Sequence, residues 1–223
     1  MSRAFVFPGQ GSQEVGMGKE LATAFPAAKQ VFEEVDDSLN QNLSNIIFNG
    51  PDEELILTSN AQPALMAVSM AVIRVLEEEV GIVVSEKVRF VAGHSLGEYS
   101  ALVAAGAIEF DATIKLVRKR AELMQSAIPE GEGGMAAILG LEDETIIEVC
   151  RATSQDGVAE AVNFNSPGQV VIAGERFAVE KVVLLAKEAG ARRAIMLPVS
   201  VPAHSSLMRP AGVILADELE GTV

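Results

Sequence analysis

The sequence predicts an α/β protein with a small ferredoxin-like block inserted into a larger α/β domain. Two observations predict it. Strand-like and helix-like segments alternate along the 223 residues, as α/β layering requires. Pro129-Glu-Gly-Glu-Gly-Gly134 then reads as a linker, and the pattern changes beyond it. Strand, helix, two strands, helix and strand follow, the βαββαβ order of a ferredoxin-like unit. The expected division is residues 1–130 plus 199–223 for the large subdomain and 131–198 for the small one.

The elements follow in order. Ala4 to Phe7 is a short apolar run before Pro8-Gly9, so a first strand. Pro26 to Leu39 repeats its apolar residues at helical spacing, with Phe25, Val31, Phe32, Val35 and Leu39 on one side. Ala61 to Glu79 is nearly apolar all round until Glu77, which predicts a buried helix. Val88 to Ala92 reads as a buried strand and Leu96 to Ala105 as a helix of small residues packed on a sheet. Asp111 is the expected N-cap of a helix reaching Ala127. In the small block, Met135–Leu141, Val158–Phe164, Gln169–Ala173 and Ala191–Leu197 are the expected strands. Asp143–Thr153 and Glu175–Ala189 are the expected helices, the second closed by Gly190.

Composition excludes several classes. A formal net charge of −14 argues against general nucleic-acid binding, which wants a basic surface. The longest apolar run, Pro63 to Val75, is interrupted by Ser69 and Arg74 and is too short to span a bilayer. The apolar N-terminus is too short for a signal peptide. A cytoplasmic protein without membrane association is the expectation. One cysteine, Cys150, permits no internal disulfide and reads as a core filler. Two histidines and one cysteine cannot build the common zinc sites, so no metal is expected.

The chemistry gathers around Gly93-His-Ser-Leu-Gly97. Gly-x-Ser-x-Gly between a strand and a helix makes a sharp elbow with the serine at its apex. Side chains at the flanking positions would collide there, so glycine fits. The turn exposes the Ser95 hydroxyl and sets the Leu96 N–H at a helix N-terminus, where it can stabilise an oxyanion. A serine needs a base. Consecutive side chains diverge at an elbow, so His94 is poorly placed and reads as a packed or hydrogen-bonded elbow residue. His204 remains, in a loop of proline and small residues just after the small block. No carboxylate is obviously placed to orient it.

Two further features stand out. Phe7-Pro-Gly-Gln10-Gly-Ser-Gln13 is neither a Walker A loop nor G-x-G-x-x-G. It is either a flexible turn or the source of a second oxyanion donor, the N–H of Gln10. Arg120 has only apolar helical neighbours, Leu116, Val117, Leu123 and Met124, whereas Arg118 and Lys119 read as facing water. An arginine in an apolar stripe needs a partner. That partner is an internal carboxylate, or the carboxylate of a substrate held by the guanidinium fork.

Taken together, Phe7-Pro-Gly-Gln-Gly-Ser-Gln13, Ala61-Gln-Pro-Ala64, Gly93-His-Ser-Leu-Gly-Glu98, Arg120 with Met124-Gln125, Asn163-Phe-Asn-Ser-Pro-Gly-Gln169 and Val201-Pro-Ala-His204 resemble a known family. It is the malonyl-CoA:acyl-carrier-protein transacylases of bacterial fatty-acid synthesis, whose motifs recur in synthase acyltransferase domains. The resemblance covers essentially the whole chain and fits the free-standing bacterial enzymes better. It implies a hydrolase-like large subdomain with a parallel sheet and an inserted ferredoxin-like one. It implies Ser95 as nucleophile, His204 as base and acid, the N–H groups of Gln10 and Leu96 as oxyanion hole, and Arg120 on the malonyl carboxylate. Asn165 becomes a substrate contact. No permanently bound cofactor is implied: malonyl-CoA is substrate, and phosphopantetheine arrives on the acyl carrier protein. Family members continue well beyond the position of Val223. The large subdomain of residues 1–223 is therefore expected to be C-terminally incomplete, without the backbone carbonyl that orients the family's histidine.

Two other readings share some of these features. A serine esterase or thioesterase would use the same elbow and histidine. A non-catalytic carrier-protein docking fragment would use Lys187, Arg192 and Arg193 against an acidic partner.

Overall fold

The computed structural model describes residues 3–129, 131–199 and 201–221. Glu130 of the expected linker, Ser200 of the loop before His204, and the terminal Met1-Ser2 and Thr222-Val223 lie outside the described residues. The chain forms two compact units, residues 1–122 with 217–223 and residues 123–216. Each is described by itself.

The larger unit begins with strand β1 (Ala4–Phe7). Helices α1 (Lys19–Ala24), α2 (Pro26–Leu39), α3 (Leu43–Asn49), α4 (Asp52–Leu55), α5 (Thr58–Val80) and α6 (Val84–Lys87) follow. Strand β2 (Phe90–Gly93) then runs parallel to β1, with Phe7 opposite Gly93. Helix α7 (Gly97–Ala104) leaves the elbow, and α8 (Phe110–Ser126) carries the arginine of interest. Helix α2 starts with Pro26 at its first turn, where the missing N–H costs nothing, and stops at Asn40 in the left-handed region. Its Val31, Phe32 and Val35 pack with Leu43, Ile47, Met66, Leu96, Ile114 and Val117 in one core. Helix α5 is buried along most of its length, as its composition predicts.

Three expectations fail in this unit. Strand β2 is not buried: Phe90 is 60% exposed, and Val6 of β1 is 74% exposed. Among the described residues, β1 and β2 make a two-stranded sheet, and alternate side chains of each face outward. A groove of about 490 Å³, lined by Phe5, Phe7, Val68 and Val72 among others, lies along β1 and α5. Asp111 is not an N-cap, because α8 begins at Phe110. Its carboxylate accepts from Ser38 and from Lys115 one turn on, and both bonds hold its pKa below the usual aspartate value. Arg118 does not face water freely. It is half-buried, and its guanidinium donates to Gln41.

The smaller unit holds β3 (Gly133–Leu139), α9 (Asp143–Ala152), β4 (Ala159–Ser166), β5 (Gln169–Glu175), α10 (Arg176–Glu188) and β6 (Arg193–Met196). A 3-10 turn (Ser206–Met208) leads into α11 (Arg209–Glu220). The sheet order is β4-β5-β3-β6, and every neighbouring pair is antiparallel. Together with the βαββαβ chain order, this is the ferredoxin-like topology. Side-chain alternation gives the sheet two apolar faces. Ile138, Val170 and Ile172 pack with Ile146 of α9 and Val179 and Val182 of α10. Met135, Val171 and Ala173 point the other way, against Val162, Leu197, Val199 and Ala203. Gly190 closes the turn after α10 at φ 98°. Cys150 is a free, buried thiol in the first of these cores.

Candidate active site

Ser95 stands between β2 and α7 with φ 53°, a left-handed conformation that side-chain-bearing residues seldom adopt. The flanking glycines explain how the elbow closes. A Cβ on Gly93 would lie 1.9 Å from the Gly97 carbonyl carbon. One on Gly97 would lie 2.4 Å from the Phe7 carbonyl oxygen. The two loops are therefore pressed together backbone to backbone. The His94 N–H donates to the Phe7 carbonyl at 3.0 Å. A Cβ on Gly9 would strike the His94 carbonyl and ring. The sequence Phe7-Pro-Gly-Gln10 is thus brought beside the elbow.

That loop is held by its own polar groups. Ser12 Oγ donates to the Gly9 carbonyl at 2.8 Å, and the Gly11 N–H donates to Gln13 Oε1 at 2.7 Å. Gln10 Nε2 donates to the hydroxyl of Thr58, the buried first residue of α5, at 3.2 Å. Among the described residues, the backbone N–H groups of Gln10 and Leu96 have no hydrogen-bond acceptor. Buried or half-buried donors of this kind suit a developing oxyanion.

Arg120 is 8% exposed. Its fork is already engaged: Nη1 donates to Gln62 Oε1, and Nη2 donates to Ser95 Oγ at 3.0 Å. The guanidinium carbon also lies 5.7 Å from the centre of the Tyr99 ring, a cation–π distance. Gln62 and Ser95 are neutral, a side-chain hydrogen bond also links Arg120 to Tyr99, and no ion pair among the described residues includes Arg120. Burial lowers the guanidinium pKa, with Tyr99 and Glu98 opposing it. Burial in turn raises the Tyr99 phenol, against the pull of Arg120. The expected alternatives at Arg120 thus narrow: among the described residues no internal carboxylate closes the fork, and its second nitrogen reaches the serine.

The smaller unit carries the other candidates. His204 is exposed, with φ 66°. It lines a cavity of about 570 Å³ with Cys150, Glu160, Val162 and Phe164. Asn165 is exposed near the end of β4, where the register against β5 shifts between Phe164 and Ser166. Lys187 lies in the last turn of α10, Arg192 just precedes β6 and Arg193 opens it; all three are exposed. The structure therefore brings Ser95, Arg120, Leu96 and the Gln10 loop together within the larger unit. His204 and Asn165 belong to the smaller one.

Sequence reading gave no role to Gln62, Thr58 or Tyr99. Gln62 was the most legible of them, a single amide in the apolar run Ala61 to Ala67. It is 1% exposed, and a buried amide needs a polar partner. Tyr99 is the only tyrosine in the sequence, four residues beyond Ser95.

Residues 4–223 match the family described as acyl transferase domain. A malonyl CoA-acyl carrier protein transacylase of Haemophilus influenzae is 52% identical over 217 residues, covering 97% of this chain and 69% of the relative. The crystal structure of an acyl-carrier-protein-S-malonyltransferase from Bartonella henselae superposes with a TM-score of 0.96 at 54% identity, covering all of this chain and 70% of that one. A malonyl-transacylase solved in complex with its type II PKS acyl-carrier protein gives a TM-score of 0.95 at 51% identity, with 100% and 71% covered. These likenesses lead to one assignment: the chain belongs to the acyl transferase domain family.

Proposed function

We propose that this protein transfers a malonyl group from malonyl-CoA to the phosphopantetheine thiol of acyl carrier protein, through a malonyl ester on Ser95. The relatives carry that activity in their names, and one was solved with its carrier protein. The observation that carries the reading here is the buried Arg120 fork donating to Ser95 Oγ. The two carbonyl carbons of a malonyl unit are separated by two C–C bonds, about 2.5 Å apart. An arginine that reaches the nucleophile directly can therefore grip the free carboxylate while the thioester carbon sits at the serine. An ordinary esterase has no use for a buried cation at that point.

The steps balance without a resident cofactor. His204 takes the Ser95 proton as Oγ attacks the thioester carbon. The N–H groups of Gln10 and Leu96 hold the oxyanion that forms. The C–S bond breaks, and CoA leaves with the proton returned by His204. The carrier's thiol then loses its proton to His204 and attacks the ester carbon; the C–O bond to Ser95 breaks, and His204 returns the proton to Ser95 Oγ. Arg120 selects the acyl group, since acetyl leaves the fork without its anion. Asn165 contacts the substrate, and Lys187, Arg192 and Arg193 meet the acidic carrier protein. We assign residues 131–198 to the inserted ferredoxin-like subdomain that carries Asn165, a narrower span than the compact unit 123–216, which also takes in the histidine loop, with residues 1–130 and 199–223 as the rest of the expected division. A CoA thioester and a carrier protein as substrates support a cytoplasmic location. Among the described residues, no helix is long and apolar enough to cross a membrane.

Intact mass spectrometry after mixing with malonyl-CoA tests the central claim. Wild type gains one malonyl group, and Ser95→Ala gains none. Equal labelling of both proteins, or no label on folded wild type, rejects the malonyl-serine intermediate.

A further inference from the structure

We infer that Glu160 is a positioning residue for His204: its carboxylate ties the histidine loop to strand β4 and fixes where the imidazole stands. The inference rests on the reading of His204 as the base. It begins from the backbone. His204 has φ 66°, a conformation that costs a non-glycine residue energy and persists only when its surroundings impose it. Several contacts impose it. Val201 and Pro202 are buried before it, and Ala203 packs on the sheet face formed by Met135, Val171 and Ala173. The buried Ser205 hydroxyl donates back to the Pro202 carbonyl at 2.7 Å. The Ala203 N–H donates to the Val201 carbonyl at 2.9 Å. These hydrogen bonds are local. They shape a turn, but they do not fix it against the sheet.

A charged hydrogen bond supplies that attachment. Two residues beyond His204, the Ser206 N–H donates to Glu160 Oε2 at 2.6 Å across 46 residues of sequence. Strand alternation explains why Glu160 is available. Ala159 and Ala161 face the helix side of the sheet. Glu160 therefore points to the opposite face with Val162, the face on which Ala203 rests. Ser206 opens the 3-10 turn before α11, so its N–H belongs to the set that helical residues cannot satisfy. A carboxylate is the strongest acceptor such a donor can find. Glu160 and His204 also line one cavity. The turn is thus closed across the histidine by the Ser205 hydroxyl on Pro202 and held to β4 just beyond it by Glu160.

Two variants of similar length separate positioning from bulk. Glu160→Gln keeps an acceptor, and Glu160→Met keeps the volume without one. Malonyl transfer to carrier protein is measured for both, with hydrogen exchange of residues 201–208. The expected result is a fall in kcat of about tenfold to a hundredfold for Glu160→Met, the range for losing one charged hydrogen bond. The KM for malonyl-CoA stays within about twofold. Glu160→Gln stays within about threefold of wild type. Exchange accelerates at residues 201–208 in Glu160→Met alone. In a His204→Ala background, Glu160→Met has no further effect on rate, because the two act as one unit. Unchanged kcat in Glu160→Met, equal damage by both variants, or a Glu160→Met chain that does not fold overturns the inference. If His204→Ala itself keeps full activity, the base assignment fails instead.

Discussion

Replacing Arg120 by alanine gives the most direct measure of acyl selection. The side chain is 8% exposed and reaches Ser95 Oγ at 3.0 Å, with its other nitrogen held by Gln62. A malonyl carboxylate entering this site gives up its water and receives the fork in exchange. Without Arg120 it would sit desolvated and unpaired. Breaking a buried charge pair from one side costs about 3–5 kcal/mol. At 1.36 kcal/mol per factor of ten, kcat/KM for malonyl-CoA falls about a hundredfold to a few thousandfold. Acetyl-CoA brings no carboxylate, so it reports only the lost contact between Arg120 and the serine hydroxyl. The ratio of the two substrates therefore isolates acyl selection from activation of Ser95. Arg120→Lys keeps the charge without the planar fork and falls between the two. The assay is acylation by malonyl-CoA and by acetyl-CoA in matched reactions, on variants whose folding is checked by circular dichroism. A malonyl-to-acetyl ratio within about threefold of wild type in folded Arg120→Ala refutes the reasoning.

Two further predictions test the frame around the site. Gly97→Ala places a Cβ 2.4 Å from the Phe7 carbonyl oxygen and 2.7 Å from that of Pro8. Backbone on both sides cannot yield cheaply, so the urea midpoint should report a loss of about 3 kcal/mol. A variant as stable as wild type would show that the two loops are not in contact. Burial pushes the Cys150 thiol from 9.0 up to about 11, with Glu160 adding to the shift. The folded pKa lies above the unfolded one, so this contribution to stability is fully present below about pH 9 and is lost as pH rises through about 11. Urea melts between pH 8.5 and 11 should show a decline that Cys150→Ala flattens. An identical decline in the variant assigns it to other groups.

The fold was legible where local rules decide it. The strands and helices of the small block were legible from short apolar runs and helical spacing between turn signals, although the sheet is covered on both faces. Strand β2 was misread because Val88 to Ala92 carries the composition of a covered strand. Composition registers hydrophobicity, whereas burial depends on what packs over Phe90. Asp111 has the composition of a cap, but it lies inside the first turn of α8. Its carboxylate is occupied by Ser38, 73 residues away. In the site, the elbow was legible because glycine spacing encodes a backbone geometry directly. The apolar neighbours of Arg120 revealed that it must be buried, but not that Gln62 would answer it from α5. Glu160 gave no signal at all. Its meaning depends on Ser206, and nothing in either local sequence points to the other.

The left-handed backbones at Ser95 and His204 bear on how such a chain changes under selection. Each costs about 1–2 kcal/mol for a residue with a Cβ. Glycine would relieve that cost while giving back about 0.5–1 kcal/mol in lost chain freedom. At these two positions the inactive protein can therefore be as durable as the active one, or more so. A screen that rewards only heat resistance or expression would let the nucleophile and its partner drift toward glycine.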